Sequence, residues 1–237
     1  MARLPRLALA GHAHLVLLYG HSTQPVFIGD EDRHLFLTAL REAAHARRVA
    51  VHAYVLLSNQ IHLLLTPSAG PDLGALMQGL GRRYGAAFNR RHQRQGTLWA
   101  GRFRATVVQP GAAQLEVMLY IDRDPDLASA AAGGASGGSV PEGAAWSSAR
   151  HHLGLQRDPL ITDNATWWSL GNTPFEREAA YRHLLNEGLS AARAEAMAQA
   201  CRHGWPLGDA AFLAELAQLT GRPMQARPLG RPPKLRG

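Results

Sequence analysis

Two apolar runs, 49–57 and 60–66, are separated only by Ser58 and Asn59. Short runs rich in Val, Leu, Ile and Tyr are strand material, and a two-residue break between them leaves room only for a tight antiparallel turn. This hairpin constrains the fold more than any other feature of the chain. Whatever surrounds it must bury at least one of its faces.

The flanking patterns extend the hairpin on both sides. Residues 14–19 predict a first strand that ends at Gly20-His21-Ser22. Asp30 or Asp32 can cap a helix running to about Arg48, with Leu35, Phe36, Ala39, Leu40 and Ala43 on its inner side. Beyond the hairpin, Leu73, Leu76, Met77 and Leu80 recur at helical spacing, in a helix that continues through Tyr84 and Phe88 to about Arg91. A loop over 96–102 leads to a fourth strand at 103–108, and a third helix runs from 114 to about 124, where Pro125 stops it. The order β-α-β-β-α-β-α predicts an α+β fold. Its core is a ferredoxin-like split βαβ antiparallel sheet with helices on one face, followed by a C-terminal helical extension and a basic tail.

The boundaries follow composition. Residues 1–128 form the sheet-bearing domain, and 129–145 form an Ala/Gly/Ser-rich connector. Residues 146–220 form a helical module, with helices predicted over 174–185, 191–202 and 209–219. The tail, 221–237, has five basic residues, four prolines and no acid, a composition expected to stay extended in isolation.

Hydrophobic residues make up 46% of the chain, enough for a sizeable core, while the net charge of +7 points to a polyanionic partner. A single cysteine, Cys201, rules out an internal disulfide and fits a reducing compartment. No apolar run approaches the ~20 residues needed to cross a bilayer. The expectation is a cytoplasmic, nucleoid-associated protein with no membrane partner.

Two short segments carry the chemistry. In a strand, residues two apart share a face, so Gln60 and His62 can converge on one ion. In a helix, residues four apart share a face, so Tyr120 and Asp124 can approach that ion together. Each residue also has an ordinary reading. His62 would be a structural histidine in an apolar run, and Tyr120 a core aromatic with a wet hydroxyl.

The third signal is charge. Residues 73–115 contain no acid, and they carry Arg82, Arg83, Arg90, Arg91, Arg94, Arg102 and Arg104 interleaved with Tyr84, Phe88, Trp99 and Phe103. Arginines neutralise phosphates and aromatic faces stack on unpaired bases, with Trp99 in its loop the favoured base contact. The ordinary alternative is a solvated helix face over core aromatics. Arg231 and Lys234 extend the basic surface into the tail, where Gly230-Arg231-Pro232 is similar to the core of an AT-hook, although Leu229 stands where that motif has arginine.

Taken in order, these blocks resemble the HUH-type single-tyrosine transposases, in particular the REP-associated branch. The resemblance covers residues 1–154. It runs through Ala2-Arg3-Leu4-Pro5-Arg6, Gln24-Pro25-Val26-Phe27, the strand pair from Ala53 to Leu64, Gly96-Thr97-Leu98-Trp99, Tyr120-Ile121 and Trp146-Ser147-Ser148. It implies metal-dependent cleavage and rejoining of single-stranded DNA, with Tyr120 forming a 5′-phosphotyrosyl link. It also implies Mg²⁺ or Mn²⁺ held by His62, the residue at 60 and Asp124. Three positions depart from the pattern. Gln60 replaces the first histidine of the pair, Asp124-Pro125-Asp126 replaces Asn-Pro-Val, and Tyr19 stands where the family usually has arginine. An amide binds first-row ions less well than imidazole, so the metal site is expected to be weakened.

Two functions from different classes are therefore expected. One is a single-strand endonuclease and strand transferase acting on hairpin or palindromic DNA, as a monomer or homodimer. The other is a catalytically weakened DNA-binding regulator of the same fold. RNA binding on the sheet ranks below both, because no strand carries a pair of aromatics.

Overall fold

The computed structural model describes residues 6–123 and 146–225. Four strands, β1 (Ala13–Tyr19), β2 (Val49–Leu56), β3 (Gln60–Pro67) and β4 (Arg104–Val108), form one antiparallel sheet in the order β2-β3-β1-β4. Hairpin β2–β3 closes where the Leu57 amide donates to the Gln60 carbonyl at 2.9 Å. The register pairs Val55 and Leu17 with His62, and Tyr19 with Gln60. Successive side chains then point to opposite faces of the sheet along every strand.

The two crossover helices, α1 (Asp30–Arg47) and α2 (Gly70–Arg91), pack on the first face. There Val16, Leu18, Ile61, Leu63 and Leu65 meet Phe36, Leu40, Leu76, Leu80 and Tyr84. Helix α1 starts cleanly because Asp32 reaches back to the amides of Ile28 (2.9 Å) and Gly29 (3.3 Å). Pro71 sits in the first turn of α2, where its missing N–H is harmless.

The expected helical cover of one face describes α1 and α2, but the opposite face is covered as well. Leu15, Leu17, Val55 and Leu64 pack there against α3 (Ala112–Asp122), α6 (Pro174–Glu187) and α7 (Ala191–His203). Short helices α4 (Ala149–His152) and α5 (Ala165–Trp168) complete that layer. Helix α8 (Ala210–Thr220) packs Phe212 and Leu216 on Val107 of the edge strand. Cys201 is buried in this second layer, its thiol 3.4 Å from the Leu15 carbonyl.

The third helix ends at Asp122, not near 124. Proline disfavours helical geometry in the residue before it as well as blocking continuation, so the stop comes earlier than Pro125 itself. Asp124, Arg231 and Lys234, with the connector 129–145 and most of the tail, lie outside the described residues.

Candidate functional site

Strand alternation sends Gln60 and His62 to the second face, beneath α3 and α7. Tyr120, near the end of α3, lays its ring parallel to that of His62, with centroids 5.4 Å apart and planes 5° from coplanar. Both rings open onto a pocket of about 450 Å³ that Tyr19 and Gln60 also line. Helix α7 roofs it with Glu195 and Arg202, and Arg123 stands where α3 ends.

His62 is the most unusual member. Its residue is only 2% exposed, yet neither ring nitrogen has a hydrogen-bond partner among the described residues. Burial lowers its pKa to about 4, so the imidazole is neutral at neutral pH and keeps a lone pair. A buried ring with two idle polar atoms costs about 1–3 kcal/mol per unmet group, and such a group calls for a ligand. This orphaned imidazole fits a divalent cation. The Gln60 side-chain carbonyl can supply a second donor. No cluster of three or more His, Cys, Asp or Glu suited to a metal occurs among the described residues, and the expected third donor, Asp124, is outside them.

The phenol of Tyr120 is held protonated. Burial raises its pKa most, with the neighbouring phenol of Tyr19 next. Tyr19 is shifted upward by burial too, while a hydrogen bond and the charge of Arg202 act the other way. A nucleophilic role for Tyr120 thus needs help in shedding its proton.

Asp122 was not singled out from the sequence. Two residues after Tyr120, it lies about 200° around the helix and points away from the pocket. Its buried carboxylate accepts from Ser148 Oγ (2.5 Å), His152 Nδ1 (2.6 Å) and Tyr181 Oη (2.6 Å). The Trp146-Ser147-Ser148 block thereby acquires a physical role. Ser147 bridges to Val55, Ser148 exchanges hydrogen bonds with the Tyr54 backbone, and Trp146 packs edge-on to His34 at 4.7 Å. A lone Asp in an apolar helix was the only available signal.

The arginines separate into two groups. Arg83 pairs with Glu42, Arg91 with Glu31 (3.0 Å) and Asp32 (3.4 Å), and Arg94 with Gln24. Arg82 and Arg102 have no ion pair among the described residues and line a second groove, of about 630 Å³, beside Trp99 and Phe103. Arg90 is exposed and Arg104 half-buried on β4. Trp99 is half-buried, its indole N–H donated to the Gly81 carbonyl at 2.9 Å, so that edge of the ring is committed to α2.

The fold and pocket together define a class: a split βαβ sheet bearing a tyrosine helix across a strand histidine. A REP-associated tyrosine transposase bound to a REP hairpin shares this fold with 15% sequence identity and a TM-score of 0.50, over 70% of this chain and 93% of that one. A protein described as a candidate transposase from Deinococcus radiodurans R1 is 24% identical over 46% of this chain and 88% of its own, with a TM-score of 0.34. No family model and no curated protein matches the chain.

Proposed function

We propose that the chain is an HUH-type single-tyrosine transposase-like protein that binds hairpin DNA with a single-stranded flank and acts on the flank at Tyr120. The observation that supports this most is the parallel stacking of Tyr120 on a buried, unpartnered His62 within one pocket. The shared fold, the hairpin held by the structural neighbour and the basic groove favour DNA over other polyanions.

His62, Gln60 and Asp124 would hold Mg²⁺ or Mn²⁺, which polarises a scissile phosphate when bound. The chain's own residues do the rest. Tyr120 Oη forms a bond to phosphorus as the bond to the 3′-oxygen breaks, the phenolic proton leaves and the 3′-oxygen takes one up. The 5′-phosphotyrosyl link conserves the energy of the phosphodiester, so the reverse attack by a 3′-hydroxyl rejoins strands.

The test is incubation of the protein with flanked hairpin DNA and Mn²⁺, followed by denaturing electrophoresis. A covalent adduct is expected from the native chain and none from Tyr120→Phe. Gln60 and the raised pKa of Tyr120 favour one second reading, a regulator that binds the same DNA without cutting it. Under that reading Gln60→His gives binding without adduct, whereas a weakened nuclease gains adduct in the same variant.

A further inference from the structure

Two charged side chains of α7 reach the Tyr120 pocket, and neither belongs to the expected metal set. Glu195 and Arg202 are seven residues apart, two helical turns, and so share one face. Arg202 Nη2 lies 2.5 Å from Glu195 Oε1, and Gln199 Nε2 donates to that same oxygen at 2.8 Å. Glu195 Oε2 has no hydrogen bond among the described residues, and no other carboxylate among them lines the pocket. Among the described residues, the Arg123 side chain makes one hydrogen bond, a long one of 3.5 Å to the Leu189 carbonyl. Among the described residues, the pocket therefore presents two guanidinium groups and one carboxylate beside two phenols.

A phosphodiester brought to Tyr120 Oη enters a space that Arg202 and His62 both line. The Glu195–Arg202 pair is exposed, at 60% and 40% of the side chains, and a pair in such a setting contributes little and exchanges easily. A guanidinium fork matches a phosphate better than a single carboxylate oxygen does, because two N–H groups engage two oxygens at once. We propose that Arg202, supplied by the C-terminal helical module, grips the phosphate of the single strand at Tyr120, and that Glu195 holds it in the free protein until the phosphate displaces the carboxylate. This rests on the reading of the pocket as a DNA site and adds a residue that the site's expected donors do not include.

The proposal fixes opposite signs for two neighbouring residues. Glu195→Gln removes the competing charge and keeps the side-chain shape, so affinity for flanked hairpin DNA should rise about three- to tenfold. Arg202→Gln should lower it about tenfold, and Arg202→Lys, which keeps the charge and loses the fork, should fall between. In the double variant the gain from Glu195→Gln should vanish, because the group it released is gone.

The measurement is fluorescence anisotropy at fixed salt with full-length Tyr120→Phe protein, in chelator, using a flanked hairpin and the same hairpin trimmed blunt. Thermal melting of each variant checks that it is folded. The blunt hairpin should bind all variants alike. Weaker binding on Glu195→Gln, additive effects in the double variant, or equal losses on flanked and blunt hairpins would overturn the assignment and leave the DNA site standing. Failure of the parent protein to bind either hairpin would overturn the functional reading and this inference with it.

Discussion

Asp122 shows how a residue adjacent to the candidate nucleophile can matter without touching it. Three donors meet its carboxylate in a space where Asp122 and His152 side chains are 0% and 1% exposed. The Tyr181 phenol is pushed far up by burial and by that carboxylate's charge and hydrogen bond, so it stays a donor. Truncation in Asp122→Ala strands a buried phenol and a buried imidazole together, and should cost about 3–5 kcal/mol in urea unfolding. Asp122→Asn should cost less, since an amide N–H can donate to His152 Nδ1 once that proton moves to Nε2. Tyr181→Phe removes one bond and should cost about 1–2 kcal/mol. A flat series, with Asp122→Ala no worse than Tyr181→Phe, would remove the network from the account of this fold. Nothing in the sequence could have paired these residues. Their partners stand 26 to 59 positions away. Gln60, His62 and Tyr120 were readable because strand and helix periodicity fix a face locally, but the stacking of ring on ring depends on where α3 lands.

Among the elements, the strands and long helices were legible to within a few residues, most clearly α1 and α2, where apolar residues recur at helical spacing. The cover on the second face is also written in the chain. An unbroken run such as Leu15-Val16-Leu17-Leu18 leaves no polar side for water, so both faces of β1 must be buried. The joint between α6 and α7 depends on backbone more than on side chains. Gly188 has φ 69° and ψ −175°, a region almost closed to other residues. A Cβ there would also overlap the guanidinium of Arg123. Arg123 is the far end of a flexible side chain and can swing aside, so the backbone dominates. Gly188→Ala should cost about 1–3 kcal/mol by thermal or urea unfolding. Adding Arg123→Ala should recover little of it, and full recovery would mean that the contact, not the conformation, sets the cost.

For the whole molecule, the run of seven arginines overstated the free charge. A linear count cannot see that Glu31, Asp32 and Glu42 of α1 fold against α2 and claim Arg91 and Arg83. What remains is directional. Arg82 and Arg102 flank the groove floored by Gly74 and Gly81, on the face of the sheet opposite the Tyr120 pocket. Under the proposed function, DNA engaging both would wrap from one face to the other, its hairpin body in this groove and its flank at Tyr120. Each phosphate contact releases condensed counterions, so losing one contact lowers the slope of log K against log salt by about 0.7–0.9. Arg82→Ala and Arg102→Ala should each shrink the slope by that amount for flanked hairpin DNA. Arg83→Ala and Arg91→Ala should leave it unchanged, because neither side chain lines that groove. Filter binding or anisotropy over about 50–200 mM salt reads the difference directly. Equal slopes for all four variants would mean that the groove is not on the path of the DNA and that the basic character of the chain acts only as a diffuse field.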